Sequence, residues 1–168
     1  MYRCLIANRG EIAVRIIRAC RELNIETVAI YAKGDETSLH VSLADQAICI
    51  GEANPLDSYL NIDRIISAAK VTESNAIHPG YGFLSESTNF AKAVEDNHIH
   101  FIGPSKTTME MMGDKITARQ TVKQAGVPVI PGSNDAVQSV DEIKLLAKEI
   151  GFPVVLKAAS GGGGKGIR

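Results

Sequence analysis

Short apolar runs rich in β-branched residues alternate with stretches of helical periodicity over the first hundred residues. The runs that predict strands are residues 4–7, 27–31, 47–50, 76–78 and 99–102. The stretches that predict helices lie between them, at residues 11–23, 39–44, 61–70 and 87–97. Strands that alternate with helices form right-handed β-α-β units, in which parallel strands are covered by helices on both faces. The alternation therefore predicts an α/β domain built on a parallel sheet.

The predicted sheet domain is of the Rossmann-like type and comprises residues 1–103. After it, residues 106–112 and 114–125 have helical periodicity, and Gly126 is a typical helix stop. Residues 104–130 are therefore predicted to form a helical linker.

A second domain is predicted over residues 131–168, which supply only its start. Ser139 and Glu142 form a capping box for a helix that stops at Gly151. The apolar residues 153–157 then predict a buried strand.

A run of glycines with lysines on both sides follows this predicted strand. Glycine backbones can approach a ligand closely, and their N–H groups together with lysine side chains bind phosphate oxygens. The residues that would do so are Lys157, Gly161, Gly162, Gly163, Gly164, Lys165 and Gly166. A Walker A loop requires Ser or Thr after Gly-Lys, where this chain has Gly166, and the G-x-G-x-x-G spacing is by itself a weak dinucleotide signal. The stretch is therefore interpreted as a phosphate-binding loop of another kind.

Composition argues against several classes of function. The net charge is −1, whereas sequence-independent nucleic-acid binders are usually strongly basic. No apolar run is long enough to span a membrane, and no signal peptide opens the sequence. Cys4, Cys20 and Cys49 are widely spaced, which predicts buried free thiols in a reducing compartment. We therefore expect a cytoplasmic protein that binds neither nucleic acid nor membranes.

Several short motifs resemble those of one enzyme family. Residues 152–166, Phe-Pro-Val-Val-Leu-Lys-Ala-Ala followed by the glycines, resemble the nucleotide-binding strand and lid loop of ATP-grasp ligases. The other motifs are Ile-Ala-Asn-Arg-Gly-Glu-Ile-Ala at 6–13, Ser-Tyr-Leu-Asn-Ile at 58–62, His-Pro-Gly-Tyr-Gly-Phe-Leu-Ser-Glu at 78–86, Phe-Ile-Gly-Pro at 101–104 and Met-Gly-Asp-Lys at 112–115. Together they resemble the amino-terminal half of biotin carboxylase, in order and over essentially all 168 residues.

The resemblance implies an ATP site in the second half of the chain. Lys115, Lys157 and Lys165 would contact the nucleotide phosphates, and the glycines from Gly161 to Gly166 would fold over them as a lid. The resemblance also implies that the sheet domain is a pre-ATP-grasp domain and that residue 131 begins an ATP-grasp lid subdomain.

The resemblance assigns two further places in the sheet domain. Tyr81 and Gly82, after a predicted strand, would lie near biotin. Arg18 and Glu22, on the first predicted helix, would belong to a homodimer interface. The family's catalytic and Mg²⁺-binding residues are expected beyond Arg168. We therefore assign none within the chain and expect these 168 residues alone to be inactive.

In this family ATP activates bicarbonate as carboxyphosphate, and biotin on a carrier protein captures the CO₂ released from it. The resemblance thus implies ATP and Mg²⁺ as cofactors and carrier-bound biotin as a substrate. It implies a biotin carboxyl carrier protein and a carboxyltransferase as partners, and a homodimer. Met1 stands directly before the first predicted strand, which suits a stand-alone subunit of acetyl-CoA carboxylase in fatty acid biosynthesis.

Other functions remain open. The parent enzyme could be a pyruvate or propionyl-CoA carboxylase, or another ATP-grasp ligase such as a carbamoyl-phosphate synthetase, although the loop at 78–86 disfavours the last. A different class is an NAD-dependent oxidoreductase, with Asp35 or Glu36 as the ribose ligand. Its first turn, residues 7–10, lacks the required glycine triplet.

Overall fold

The structure, a computed structural model, describes residues 2–133 and 135–157, and for Lys115 the backbone only. The chain divides into two compact units, Met1–Lys106 and Thr107–Arg168.

The first unit is built on one parallel sheet. Its strands are β1 (Arg3–Ile6), β2 (Glu26–Ala32), β3 (Gln46–Gly51), β4 (Ala76–His78) and β5 (His100–Phe101). They lie in the order β3-β2-β1-β4-β5, and each neighbouring pair is parallel. The predicted α/β architecture is confirmed.

Four helices connect these strands. They are α1 (Gly10–Glu22), α2 (Leu39–Leu43), α3 (Ile62–Val71) and α4 (Thr88–Asp96). The crossovers through α1 and α2 move towards β3, and those through α3 and α4 move towards β5. Because such crossovers are right-handed, α1 and α2 cover one face and α3 and α4 cover the other. Both faces are thereby buried, and Leu5, Ile30 and Ile77 are fully enclosed.

Two of these helices, α3 and α4, begin where a side chain caps them. Asn61 accepts a hydrogen bond from the backbone N–H of Arg64 at 3.1 Å and starts α3. Ser87 accepts one from Phe90 N–H at 3.2 Å and starts α4. Each cap satisfies a donor that the first helical turn leaves without a partner.

The edge strand β3 shows where one prediction was wrong. Cys4 and Cys20 are buried free thiols, as predicted, but Cys49 is exposed. From Gln46 to Cys49 the side chains of β3 alternate between partly buried and exposed positions, because successive side chains of a strand point to opposite faces of the sheet. Cys49 occupies one of the exposed positions.

The order of the strands places a crevice beside β1. The chain passes from β1 to β2 on one side and from β4 to β5 on the other, while β1 and β4 are themselves neighbours. In open α/β sheets such a switch point leaves a crevice at the carboxyl ends of the two strands, where ligands bind. The loops that follow β1 and β4 meet at this place.

Three helices are described in the second part of the chain. They are α5 (Lys106–Gly113), α6 (Lys115–Gln124) and α7 (Val140–Ile150). Asp114 caps α6 through Thr117 N–H at 2.8 Å. Ser139 caps α7 through Glu142 N–H at 3.2 Å, which confirms the predicted cap, but Glu142 Oε2 accepts from Gln138 N–H at 3.0 Å and not from Ser139 N–H as a capping box would. Of the described helices, not one combines the length and apolar character needed to cross a bilayer.

The prediction of a buried strand at residues 153–157 was wrong. The described backbone there has a single bridge position at Lys157, and the side chains of Phe152, Val155 and Leu156 are 75%, 63% and 43% exposed. A strand needs a neighbouring strand to satisfy its backbone N–H and C=O groups. Residues 107–133 and 135–157 contain no strand that could serve as that neighbour.

Candidate functional site

Asn8 joins the two loops at the switch point. Its side chain is buried, and its Nδ2 donates to the carbonyl oxygens of Pro79 and Tyr81, both at 2.8 Å. Its Oδ1 accepts from Arg9 N–H at 2.9 Å. One amide therefore ties the loop after β4 to the end of β1.

The loop after β4, residues 79–87, has an unusual backbone. Gly80, Gly82 and Phe83 have positive φ angles of 65°, 67° and 40°. A Cβ atom on Gly80 would lie 2.9 Å from Asn8 Nδ2. Glycine at position 80 thus provides both the left-handed turn and the close approach of the two loops.

His78 supports the same turn. Its Nδ1 accepts a hydrogen bond from Gly80 N–H at 3.0 Å, which requires that the ring's other nitrogen carry the proton in the neutral form. Burial lowers the pKa of His78 below its ordinary value. His78 is therefore a neutral structural histidine, with its acceptor nitrogen already engaged.

Arg9, Asp35 and Tyr59 form a polar cluster beside these loops. The Arg9 guanidinium lies 3.2 Å from Asp35 Oδ2. The fully buried Tyr59 donates its hydroxyl proton to the same oxygen at 2.7 Å and accepts from Ala32 N–H at 3.1 Å. Loops after β1, β2 and β3 thereby meet through three side chains.

The cluster fixes the charge state of its members. Burial alone would raise the pKa of Asp35, but the hydrogen bonds from Tyr59 and Arg9 and the Arg9 charge outweigh it, so the pKa is lowered. Burial, with the nearby Asp35, raises the pKa of Tyr59. At neutral pH Asp35 is a carboxylate and Tyr59 keeps its proton.

Phe83 attaches the loop after β4 to this cluster. Its ring stacks on that of Tyr59 with centroids 5.2 Å apart and planes 9° from parallel. Arg9 Cζ lies 5.1 Å from the Tyr59 centroid and 5.6 Å from that of Phe83. Tyr81, two residues earlier, is 58% exposed. The loop thus packs through Phe83 and leaves Tyr81 open to solvent.

The residues expected to bind ATP fall partly outside the described chain. Lys115 is the first residue of α6, and Lys157 is exposed. Gly161, Gly162, Gly163, Gly164, Lys165 and Gly166 lie outside the described residues. Within residues 2–133 and 135–157, no three His, Cys, Asp or Glu side chains are grouped as metal ligands would be.

The two residues expected at a dimer interface lie on the exposed face of α1. Arg18 and Glu22 line a groove of about 870 Å³ between α1 and the segment that leads into α2, and Leu39 and His40 line its other side. Leu39 is 59% exposed. The structure therefore leaves this face of the first unit accessible.

Comparison with known proteins identifies the family. Residues 1–109 match the family described as biotin carboxylase, N-terminal domain. The chain belongs to this family. Residues 114–168 match the family described as carbamoyl-phosphate synthase L chain, ATP binding domain.

Relatives of the biotin carboxylase family match nearly the whole chain. Biotin carboxylase 1 of Bacillus subtilis is 58% identical over 166 residues, which are 99% of this chain and 37% of that protein. A biotin carboxylase from Campylobacter jejuni, solved as a β-γ-ATP complex, is 51% identical with a TM-score of 0.90, and covers 99% of this chain and 37% of that one.

A dimer of the biotin carboxylase domain from the Hydrogenobacter thermophilus 2-oxoglutarate carboxylase is also similar. It was solved with MgADP, ADP and bicarbonate, and is 54% identical with a TM-score of 0.87. The match covers 99% of this chain and 36% of that chain. The chain thus spans little more than a third of these relatives.

Sequence reasoning missed the clustering of Tyr59 and Asp35. Tyr59 was noted only as part of a family motif, and Asp35 only as a possible ribose ligand. The two residues are 24 positions apart and follow different strands, so no local spacing could reveal that they share a hydrogen bond.

Proposed function

We propose that this chain is the amino-terminal part of an enzyme that carboxylates biotin at the expense of ATP. The observation that carries the proposal is the succession of two family matches, a biotin carboxylase N-terminal domain followed by an ATP-binding domain. We likewise infer a sheet domain at 1–103, a linker at 104–130 and an ATP-grasp lid subdomain from 131.

In this proposal the second part of the chain binds ATP. Lys115 and Lys157, with the loop from Gly161 to Gly166 and Lys165, bind the phosphates through ammonium groups and backbone N–H groups. Mg²⁺ would neutralise charge on the phosphates. The described residues offer no group of three ligands for it, so we assign its ligands outside them.

The switch-point crevice is proposed as the biotin end of the site. Tyr81 and Gly82 sit on the loop that Asn8 holds at the carboxyl edge of the sheet, which is where ligands of such sheets bind. Tyr81 is largely exposed, so its ring is free to contact the flat ureido ring of biotin. The catalytic and bicarbonate-binding groups are expected beyond Arg168.

The proposed partners follow from the same role. Biotin would arrive on a biotin carboxyl carrier protein and pass its carboxyl group to a carboxyltransferase, in the cytoplasm. Arg18 and Glu22 would contribute to a homodimer through the exposed face of α1, and the Hydrogenobacter thermophilus relative was solved as a dimer. Acetyl-CoA is the acceptor we favour. Pyruvate and 2-oxoglutarate are alternatives, since a relative belongs to a 2-oxoglutarate carboxylase.

The oxidoreductase alternative is disfavoured by the Asp35 contacts. A ribose ligand in a dinucleotide-binding enzyme needs a carboxylate free to accept from ribose hydroxyls. Asp35 Oδ2 already accepts from both Tyr59 and Arg9, and Glu36 Oε2 accepts from Gly34 N–H. The match of residues 1–109 to a biotin carboxylase domain also speaks against this alternative.

Steady-state turnover by the full-length protein tests the proposal. ADP release should require ATP, Mg²⁺ and bicarbonate and should increase on addition of biotin. Lys157→Ala should raise the KM for ATP because it removes a phosphate contact, and Lys144→Ala, on the exposed surface of α7, is the matched control. Saturable NAD binding with no bicarbonate-dependent ADP release would contradict the proposal.

A further inference from the structure

The loop after β4 holds a bulky residue in a backbone conformation that such residues avoid. Phe83 has a φ of 40°, and the left-handed region costs a residue with a Cβ roughly 1–2 kcal/mol. Glycine would adopt it without that cost. The side chain of Phe83 must therefore contribute an interaction that offsets the strain, and sites of such strain are often functional.

The interaction is the stack on Tyr59. The two rings are nearly parallel, 9° apart, with centroids at 5.2 Å, and Tyr59 cannot shift easily because it is fully buried. Its hydroxyl is held on both sides, since it donates to Asp35 at 2.7 Å and accepts from Ala32 N–H at 3.1 Å. Tyr59 is thus a fixed platform, and Phe83 is the loop residue attached to it.

Arg9 connects this platform to the end of β1. Its guanidinium lies within 5.6 Å of both ring centroids and pairs with Asp35. The neighbouring Asn8 holds the carbonyl of Tyr81 at 2.8 Å. The loop is therefore fixed at two points, one at the backbone of residue 81 and one at the side chain of residue 83.

Tyr81 has little else to position it. Its side chain is 58% exposed, and it stands between two glycines, Gly80 and Gly82, the residue type with the greatest backbone freedom. The direction of its ring depends on the backbone held by Asn8 and Phe83. Loss of either contact would leave Tyr81 present but no longer held in place.

We propose that Phe83 and Tyr59 are positioning residues that hold Tyr81 and Gly82 in the conformation that receives biotin. The proposal rests on the biotin role given above to Tyr81. The ring stack would then account for the strained backbone at Phe83, because it holds a glycine-rich loop in one conformation where the loop would otherwise sample several. Misplacement of a binding group by about 1 Å can cost as much as roughly 100-fold in rate.

Phe83→Gly in the full-length enzyme is the sharpest test. This substitution removes the ring and relieves the left-handed strain at once, so the relief of strain offsets part of the stability lost with the stack. Its kcat/KM for free biotin should fall by about 10-fold or more. The Kd for ATP should change by less than about 2-fold, because the loop is not part of the proposed nucleotide site. Phe83→Tyr retains a stacking ring and should restore most of the lost kcat/KM.

The matched control is another aromatic pair of the same unit. Phe101 packs edge-on against Phe90 with centroids 5.9 Å apart, and neither ring belongs to the loop after β4. Phe101→Leu should lower thermal stability and leave kcat/KM for biotin within about 2-fold of the wild type. Equal losses in Phe83→Gly and Phe101→Leu, or no loss in Phe83→Gly, would overturn the positioning role.

Failure of the underlying function is recognised separately. A wild-type enzyme without biotin-dependent turnover would contradict the proposed function itself. A normal kcat/KM for biotin in Tyr81→Ala would show that Tyr81 does not contribute to the use of biotin. The positioning role proposed for the stack would then be rejected as well. If kcat/KM for biotin falls in Tyr81→Ala but is normal in Phe83→Gly, the proposed function stands and only the positioning role is rejected.

Discussion

At the scale of single residues, the side chain of Asn8 joins the end of β1 to the loop after β4. Two backbone carbonyls accept from the one buried amide group of Asn8, in a buried bond to Pro79 and a partly buried bond to Tyr81. Removal of that amide leaves both acceptors without this donor, and a buried group that loses its partner costs about 1–3 kcal/mol.

Asn8→Ala should therefore lower the free energy of unfolding by about 1–3 kcal/mol. Urea denaturation followed by circular dichroism measures it. Asn97→Ala is the matched control, because Asn97 Nδ2 makes one bond, to Ala93 O within its own helix end. A loss no greater than that of the control would mean that Asn8 does not tie the two loops together.

The thiols report on burial in the same unit. Cys4 and Cys20 are buried and Cys49 is exposed, and the chain holds three cysteines. Burial keeps a thiol from the reagent, and the hydrogen bond that the Cys4 thiol donates to Cys20 raises the pKa of Cys4 together with burial. In the native 168-residue chain a thiol reagent should modify Cys49 rapidly and the other two only after denaturation. Rapid reaction of all three would contradict the packing of β1 against α1.

His40 makes stability depend on pH. It is buried, and burial lowers its pKa below the ordinary value of 6.5, as it does for His78. The unfolded chain takes up these protons near pH 6.5 and the folded chain only at lower pH. The unfolded state then binds more protons, so stability is retained above pH 6.5 and falls as the pH decreases.

The free energy of unfolding should decline as the pH falls from about 6.5 to 5.5, by at most about 1.4 kcal/mol per pH unit for each histidine. His40→Gln, which can still donate to the Ile30 carbonyl that His40 Nε2 contacts, should reduce the slope. Urea unfolding at several pH values measures it. An unchanged slope in the variant would exclude His40 as a source of the dependence.

At the scale of elements, the loop after β4 depends on two different properties of glycine. Gly80 and Gly10 share a φ of 65°, so a Cβ atom strains both equally. At Gly10 that atom would have no neighbour within 4 Å, whereas at Gly80 it would lie 2.9 Å from Asn8 Nδ2 and 3.2 Å from Ile12 Cγ1.

Gly80→Ala should consequently destabilise the chain more than Gly10→Ala. The shared left-handed strain costs roughly 1–2 kcal/mol in each, and Gly80→Ala adds the displacement of Asn8 from its two carbonyls. Thermal unfolding of the two variants measures this difference. Because the backbone strain is common to both, the difference in their melting temperatures reports the contact with Asn8. Equal destabilisation would show that the two loops can separate without cost.

Much of this element structure could be predicted, and the exceptions have physical causes. The sheet and its helices follow from periodicity, which is local. The strand at 153–157 was wrong because an apolar run does not reveal whether a partner strand exists. The stack of Phe83 on Tyr59 could not be predicted, since it joins loops after β4 and β3 that only the folded sheet brings together. The roles of Lys115, Lys157 and Tyr81 remain predictions.

At the scale of the whole molecule, the chain spans little more than a third of the length of the relatives it matches. The family of residues 1–109 is established, and the relatives extend well beyond the matched length. Even if the crevice receives biotin and residues 114–168 bind ATP, as proposed, the described residues offer no group of three ligands for Mg²⁺. We therefore expect the reaction only in the full-length protein.

Transfer of label from bicarbonate to biotin tests this central claim most directly. The full-length protein, incubated with ¹⁴C-bicarbonate, ATP, Mg²⁺ and free biotin, should form acid-labile carboxybiotin in proportion to the ADP released. Omission of ATP should abolish it, and Tyr81→Ala should reduce it without weakening ATP binding. ADP released without any label on biotin would contradict the account.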